Sequence, residues 1–191
     1  MASNAVTKVT EEQYLAMDRA AEFRSEFLDG EIVAMSGGSV RHSGLKVNLV
    51  GEVRAALRGT ACQAFNSDLR VRVSSRMYTY PDLTVVCGKP MTADKRQDIL
   101  LNPTVIFEVL SPSTEHFDRG IKLRRYREIE SLTDYILVAQ DQIRIEQYTR
   151  GDANTWTLHD YQRAEDVLQI ASIGVSVPLA AIYERIEFPA E

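Results

Sequence analysis

TVIFEVLSPST, residues 104–114, says more about the architecture of this chain than any other segment. Val105, Ile106, Phe107, Val109 and Leu110 are apolar on both alternating faces, and the run is short and rich in β-branched residues. That pattern predicts a central strand covered on both sides. Ser113 and Thr114 then offer hydroxyls to cap a helix, since a hydroxyl oxygen can accept a free amide of the first turn. Glu108 breaks the pattern. An ionised carboxylate in a covered strand loses its water and needs a cation, an ion pair or a proton in return.

A second apolar run lies upstream, YPDLTVVC at 80–87, and Asp82 opens it. Pro81 has no amide hydrogen to give to a sheet, which places this strand end near an edge or opening. If the two strands are neighbours, Asp82 and Glu108 form an oxygen-rich site of the kind that Mg²⁺ or Mn²⁺ prefers. Downstream, a helix is expected from about Glu115 to Glu130. Lys122, Tyr126 and Ile129 share one face of it at i, i+4 and i+7. Lys122 is then an inward-pointing cation with Glu108 and Asp82 as its candidate anions. The plainer alternative is a structural buried pair of Glu108 with Lys122.

Working further outward, Thr10 with Gln13 forms a capping box and predicts a helix over about 11–21. RSEFLDGEIVAM, residues 24–35, flanks Asp29-Gly30, a dipeptide suited to a tight hairpin. Leu45, Leu49, Val53 and Leu57 recur every four residues, so Val40 to Leu57 reads as a helix that Gly59 stops. FNSDLRVRV at 65–73 alternates as one strand. DYILVA, QIRIEQYTR and TWTLHDY read as strands extending the same sheet antiparallel, and VPLAAIYERI as a short final helix. The order predicts an α/β chain, a mixed sheet flanked by helices with an N-terminal helix and hairpin, forming a single domain over 1–191.

The bulk composition narrows the function. The chain has 191 residues, 45% hydrophobic and 26% charged, which is ordinary for a globular protein that folds without cross-links. Its two cysteines, Cys62 and Cys87, lack a paired spacing, so neither a disulfide framework nor a zinc site is expected, and a reducing cytoplasm fits. The first residues, MASNAVTKVT, lack the apolar run of a leader, and no stretch is long enough to span a bilayer. A net charge of −5 counts against a surface coated by nucleic acid, so any such contact must come from a local patch. Arg119, Arg124 and Arg125, around Lys122 and helped by Arg70, Arg72 and Arg76, could track a phosphate backbone. They could equally belong to a solvated helix face with Asp118 and Glu128 as partners.

YPDLTVV, VIFEVLSPST and DRGIKLRRY, with EFLDGEIVAMSGG and a following His upstream, resemble the Uma-two family of bacterial endonucleases in the restriction-endonuclease-like PD-(D/E)XK superfamily. The resemblance runs from about Glu11 to Ala139, more loosely to the C-terminus. It implies a restriction-endonuclease-like core and a metal-dependent endonuclease, with nucleic acid, DNA foremost, as substrate and a homodimer as the assembly. It implies Asp82, Glu108 and the backbone carbonyl of Val109 as ligands of Mg²⁺ or Mn²⁺, with Lys122 as the catalytic lysine. Glu26 corresponds to the family's acidic residue before the Asp-Gly turn. Leu110 stands where the motif carries its lysine, and Lys122 takes that part from the next helix. Two other outcomes stay open: a non-catalytic binding or assembly module with a structural Glu–Lys pair, and a hydrolase of smaller phosphoesters.

Overall fold

The computed structural model describes residues 8–35 and 37–188. Residues 1–7, part of the stretch expected to carry no leader, lie outside the described residues. Helix α1 (Glu11–Ala20) starts at the expected capping box: the Thr10 hydroxyl accepts from the Gln13 amide, and the Gln13 side chain accepts from the Thr10 amide. Strands β1 (Ser25–Leu28) and β2 (Glu31–Ala34) form the hairpin. Its turn residues Asp29 and Gly30 both take positive φ, 50° and 94°, as the tight mirror-image turn requires. Helix α2 (Val40–Ala56) begins at Ser39, whose hydroxyl accepts from the His42 amide, and buries Leu45, Leu49 and Val53.

The strands that follow are β3 (Cys62–Asn66), β4 (Arg70–Ser74), β5 (Met77–Thr79), β6 (Leu83–Cys87), β7 (Ile99–Leu100) and β8 (Val105–Val109). Then come a helical stretch, α3 (Glu115–Phe117), a π-helical turn (Asp118–Lys122) and α4 (Leu123–Tyr126). Strands β9 (Asp134–Val138), β10 (Ile145–Arg150), β11 (Trp156–Tyr161), β12 (Val167–Ile170) and β13 (Val175–Pro178) lead to α5 (Leu179–Ile182).

Three sheets form where one was expected: two large ones and a separate antiparallel pair of β12 with β13. The larger has the order β11-β10-β9-β8-β6-β3 and is mixed, with β8 and β9 parallel and the other neighbours antiparallel. The smaller has the order β2-β1-β5-β4-β7. FNSDLRVRV is not one strand: its start lies in β3 of the larger sheet and its end in β4 of the smaller. A side-chain turn breaks it, with the Asp68 amide donating to Asn66 Oδ1 and the Asn66 amide nitrogen to Asp68 Oδ2. β9 also departs from expectation, since it runs parallel to β8; only β10 and β11 extend the sheet antiparallel.

Alternation along β8 sorts its side chains between two cores. Val105, Phe107 and Val109 pack with α2 residues Leu45, Leu49 and Val53. Ile106 and Leu110 pack on the other side with Tyr126, Ile129, Val71 and Leu100. Glu108, between Phe107 and Val109, therefore belongs to the face covered by α4 and the smaller sheet.

The expected helix over 115–130 is shorter and interrupted. In its π turn the Leu123 amide reaches back five residues to the Asp118 carbonyl. Asp118, Lys122 and Tyr126 all point inward, each no more than 5% exposed, so Asp118 is not on a solvated face. The expectation that the cysteines form no cross-link is also overturned. Cys62 and Cys87 are directly opposed partners of β3 and β6, their Cα atoms 3.9 Å apart, and they are joined by a disulfide. Their separation of 25 residues carries no sign of this, because strand pairing and not spacing brings them together. Among the described residues no helix is long and apolar enough to cross a membrane.

Candidate active site

Strands β6 and β8 pair antiparallel with Leu83 opposite Phe107 and Val85 opposite Val105. Continuing that register one residue past β6 sets Asp82 opposite Glu108. Both side chains line one cleft, and the Asp82 charge is among those that act on Glu108. The Val109 amide donates to Asp82 Oδ2 at 2.7 Å and fixes the aspartate against β8. The two acids open onto a cleft of about 1140 Å³. Its walls come from the β2 hairpin, the first turns of α2, the loop after β8 and the π turn.

Lys122 lies at the centre of the buried charges. Its ammonium is 3.0 Å from Glu108 Oε1, 3.2 Å from Glu26 Oε1 and 3.2 Å from Asp118 Oδ1. The Tyr126 hydroxyl donates to Glu108 Oε1 at 2.9 Å and also touches Thr79 Oγ1. Glu26 is held from β1 by the Tyr80 amide. Asp118 Oδ1 has no well-formed hydrogen bond despite full burial.

Burial pushes the Glu108 carboxyl up to about 8, with Asp118, Asp82 and Glu26 adding to the shift and Lys122 opposing it. Asp118 is raised for the same leading reason. Burial works against the Lys122 ammonium, but Glu108 and Glu26 outweigh it and hold its proton well above the usual lysine range. All three shifts favour bound protons, as expected where acids outnumber cations in a space closed to water.

A second lysine completes the site. Lys46, on α2, places its ammonium 2.6 Å from Asp82 Oδ1 and 3.4 Å from Ser67 Oγ. One turn earlier His42 also lines the cleft, with Nδ1 buried and unpartnered, and desolvation lowers its pKa against the pull of Asp82.

The structure thus brings Asp82, Glu108, Lys122 and Glu26 together, with the Val109 backbone beside them. It does not bring the three arginines to the cleft. Arg119 is paired with Glu115 and Glu146, and Arg125 with Asp29 and Glu128. Arg124 is exposed on α4, outside the cleft. Sequence reasoning missed Asp118 and Lys46. Asp118 stands four residues before Lys122, and that spacing on the inward face was its signal. Lys46 sits beside the core position Leu45 on the flank of α2, where only the tertiary fold reveals what it meets.

The residues fit a divalent cation by donor type and charge. The oxygens are hard ligands. Four carboxylates against two ammonium groups leave two uncompensated negative charges in the ionised state. In the arrangement present, no group of three or more His, Cys, Asp or Glu among the described residues is poised as a metal cage. Lysines Lys46 and Lys122 stand against those carboxylates instead.

Comparison with known proteins converges on one family. The Uma2 model, described as "Putative restriction endonuclease", matches residues 11–180. A Synechocystis protein named "Uncharacterized protein slr1290" is 37% identical over 182 residues, 95% of this chain and 94% of its own. A second from the same organism, "Uncharacterized protein sll1609", is 35% identical over 156 residues, 81% of this chain and 88% of its own. A solved structure from Anabaena variabilis, described as "a putative nuclease belonging to DUF820", shares the fold with a TM-score of 0.76 at 15% identity, covering 92% of this chain and 97% of that one. With its family model spanning most of the chain, and a mixed α/β fold that matches that nuclease structure, this protein belongs to the Uma2 family.

Proposed function

We propose that this chain is a metal-dependent endonuclease that hydrolyses phosphodiester bonds of nucleic acid. The observation that carries this is the gathering of Asp82, at the start of β6, and Glu108, on the neighbouring β8, into one cleft with an excess of carboxylates over cations. Asp82 and Glu108 would hold Mg²⁺ or Mn²⁺, with the Val109 carbonyl as a further ligand. When bound, such a cation supplies Lewis acidity at a phosphoryl oxygen. The protein's own part is positional. The Val109 amide orients Asp82, and Tyr126 and Lys122 orient Glu108. Lys122 in turn keeps Glu26 and Asp118 gathered around the site. The recessed floor excludes bulk water, which strengthens each of these interactions.

Arg124, exposed beyond the cleft, is the member of the basic stretch best placed to reach a phosphate backbone. DNA is the proposed substrate, and a homodimer acting on two strands the proposed assembly. Calorimetry with Mn²⁺ tests the site: wild type should bind and Asp82→Ala should not, and the same substitution should stop Mg²⁺-dependent nicking of plasmid DNA. One observation favours a second reading, a non-catalytic module: Lys122 is already matched by three carboxylates. Absence of Mn²⁺ heat from the wild-type protein would decide for that reading.

A further inference from the structure

Two lysines face the carboxylates of the cleft, and they differ in their freedom to act. Lys122 has three carboxylates within 3.2 Å and a side chain only 7% exposed. Its charge is spoken for, and moving it would strand three buried acids. Lys46 has one carboxylate partner, Asp82 Oδ1, and a weak hydroxyl contact with Ser67. Its side chain is 26% exposed at the cleft wall, on a flexible four-carbon stem. Asp82 itself stays in place without Lys46, because the Val109 amide holds its other oxygen. Lys46 is therefore the cation that can leave Asp82 without disturbing the floor of the site.

We propose that Lys46 neutralises Asp82 in the metal-free protein and, once a divalent cation takes Asp82, turns its ammonium to the substrate phosphate. This presupposes the metal role of Asp82 put forward above. It makes Lys46 a catalytic residue and leaves Lys122 as a positioning residue that keeps the acids in register. Both charges are conserved in the exchange: the ammonium gives up one anion and gains another, and the carboxylate exchanges an ammonium for a metal ion.

The test uses the full chain with Mn²⁺ alone, then inorganic phosphate added to the Mn²⁺-loaded protein, both by calorimetry. Lys46→Met removes the competing charge from a partly exposed helix position that methionine suits. Its Mn²⁺ dissociation constant should fall about two- to fivefold, the scale of losing one partly exposed ion-pair competitor. Phosphate binding to its metal-loaded form should weaken by a similar factor. Lys46→Arg keeps the charge and should stay near wild type for Mn²⁺, and Lys46→Gln provides a second neutral variant should Met perturb folding. Equal Mn²⁺ affinity in wild type and both neutral variants overturns the assignment of Lys46 while the metal role of Asp82 stands. Tighter Mn²⁺ with unchanged phosphate binding overturns the phosphate contact. No Mn²⁺ binding by wild type or the neutral variants overturns both proposals together.

Discussion

Replacing Lys122 by methionine removes the one cation placed among Glu26, Glu108 and Asp118 and leaves the helix free of any new polar group. Glu108 is 4% and Asp118 2% exposed, so water cannot replace the ammonium. Breaking a buried ion pair from one side typically destabilises by about 3–5 kcal/mol. With a urea m-value of about 2 kcal/mol/M for a protein of this size, the midpoint should drop by about 1.5–2.5 M at unchanged m. The loss should depend on pH. At pH 5 the Glu108 carboxyl, raised to about 8 by burial, carries a proton and less uncompensated charge remains, so the variant should lie closer to wild type there than at pH 8. Urea unfolding at the two pH values, followed by circular dichroism, measures both quantities. Adding Glu108→Gln to Lys122→Met should restore part of the loss. A drop below about 1 kcal/mol, the same at both pH values, is what a solvent-screened surface pair would give, and it would refute the burial argument.

Glu108 gives a second prediction. Its folded pKa of about 8 lies above the ordinary value of 4.5, so its contribution to stability is fully present below pH 4.5 and is lost as pH rises through 8. Glu108→Gln should flatten the fall in unfolding free energy across that window; an unchanged pH profile would count against the shift. The Cys62–Cys87 disulfide closes a loop of 25 residues, worth about 3.5 kcal/mol by loop-closure entropy. Reductant or Cys62→Ala should lower the urea midpoint accordingly, and a shift of less than a third of that would show that the cross-link adds little. Leu49→Ala, at a fully buried position of α2 against the larger sheet, should destabilise by about 2–5 kcal/mol, with a near-normal melting curve as the contrary result. Arg119→Ala should cost stability through its pairs with Glu115 and Glu146 and leave the KM for plasmid DNA unchanged, whereas a raised KM would return it to the nucleic-acid surface.

Much of the local architecture was written in the chain. The capping box fixed the start of α1, Asp29-Gly30 fixed the hairpin turn, and the four-residue leucine spacing gave α2. The apolar run around Glu108 read as a strand covered on both faces, and that is where β8 lies. These features are local: caps, turns and periodicity depend on neighbours a few residues away, which a linear sequence displays. The same logic raised Glu108, Asp82 and Lys122 as charged residues with apolar surroundings that would need partners.

Tertiary structure decided who the partners are. It split 65–73 between two sheets, placed β9 parallel to β8, and put Cys62 opposite Cys87. It drew Asp118 into the interior through a π turn, gave Lys46 to Asp82, and kept the arginines beside Lys122 out of the cleft. Each of these depends on register between strands or on the rotation of a helix over a sheet. Such alignments are set by how apolar faces distant in the chain pack together, and a one-residue shift in either sends a side chain to the opposite face. The sequence could thus say that a buried carboxylate needs a cation, whereas only the packed fold could say which lysine stands beside which acid.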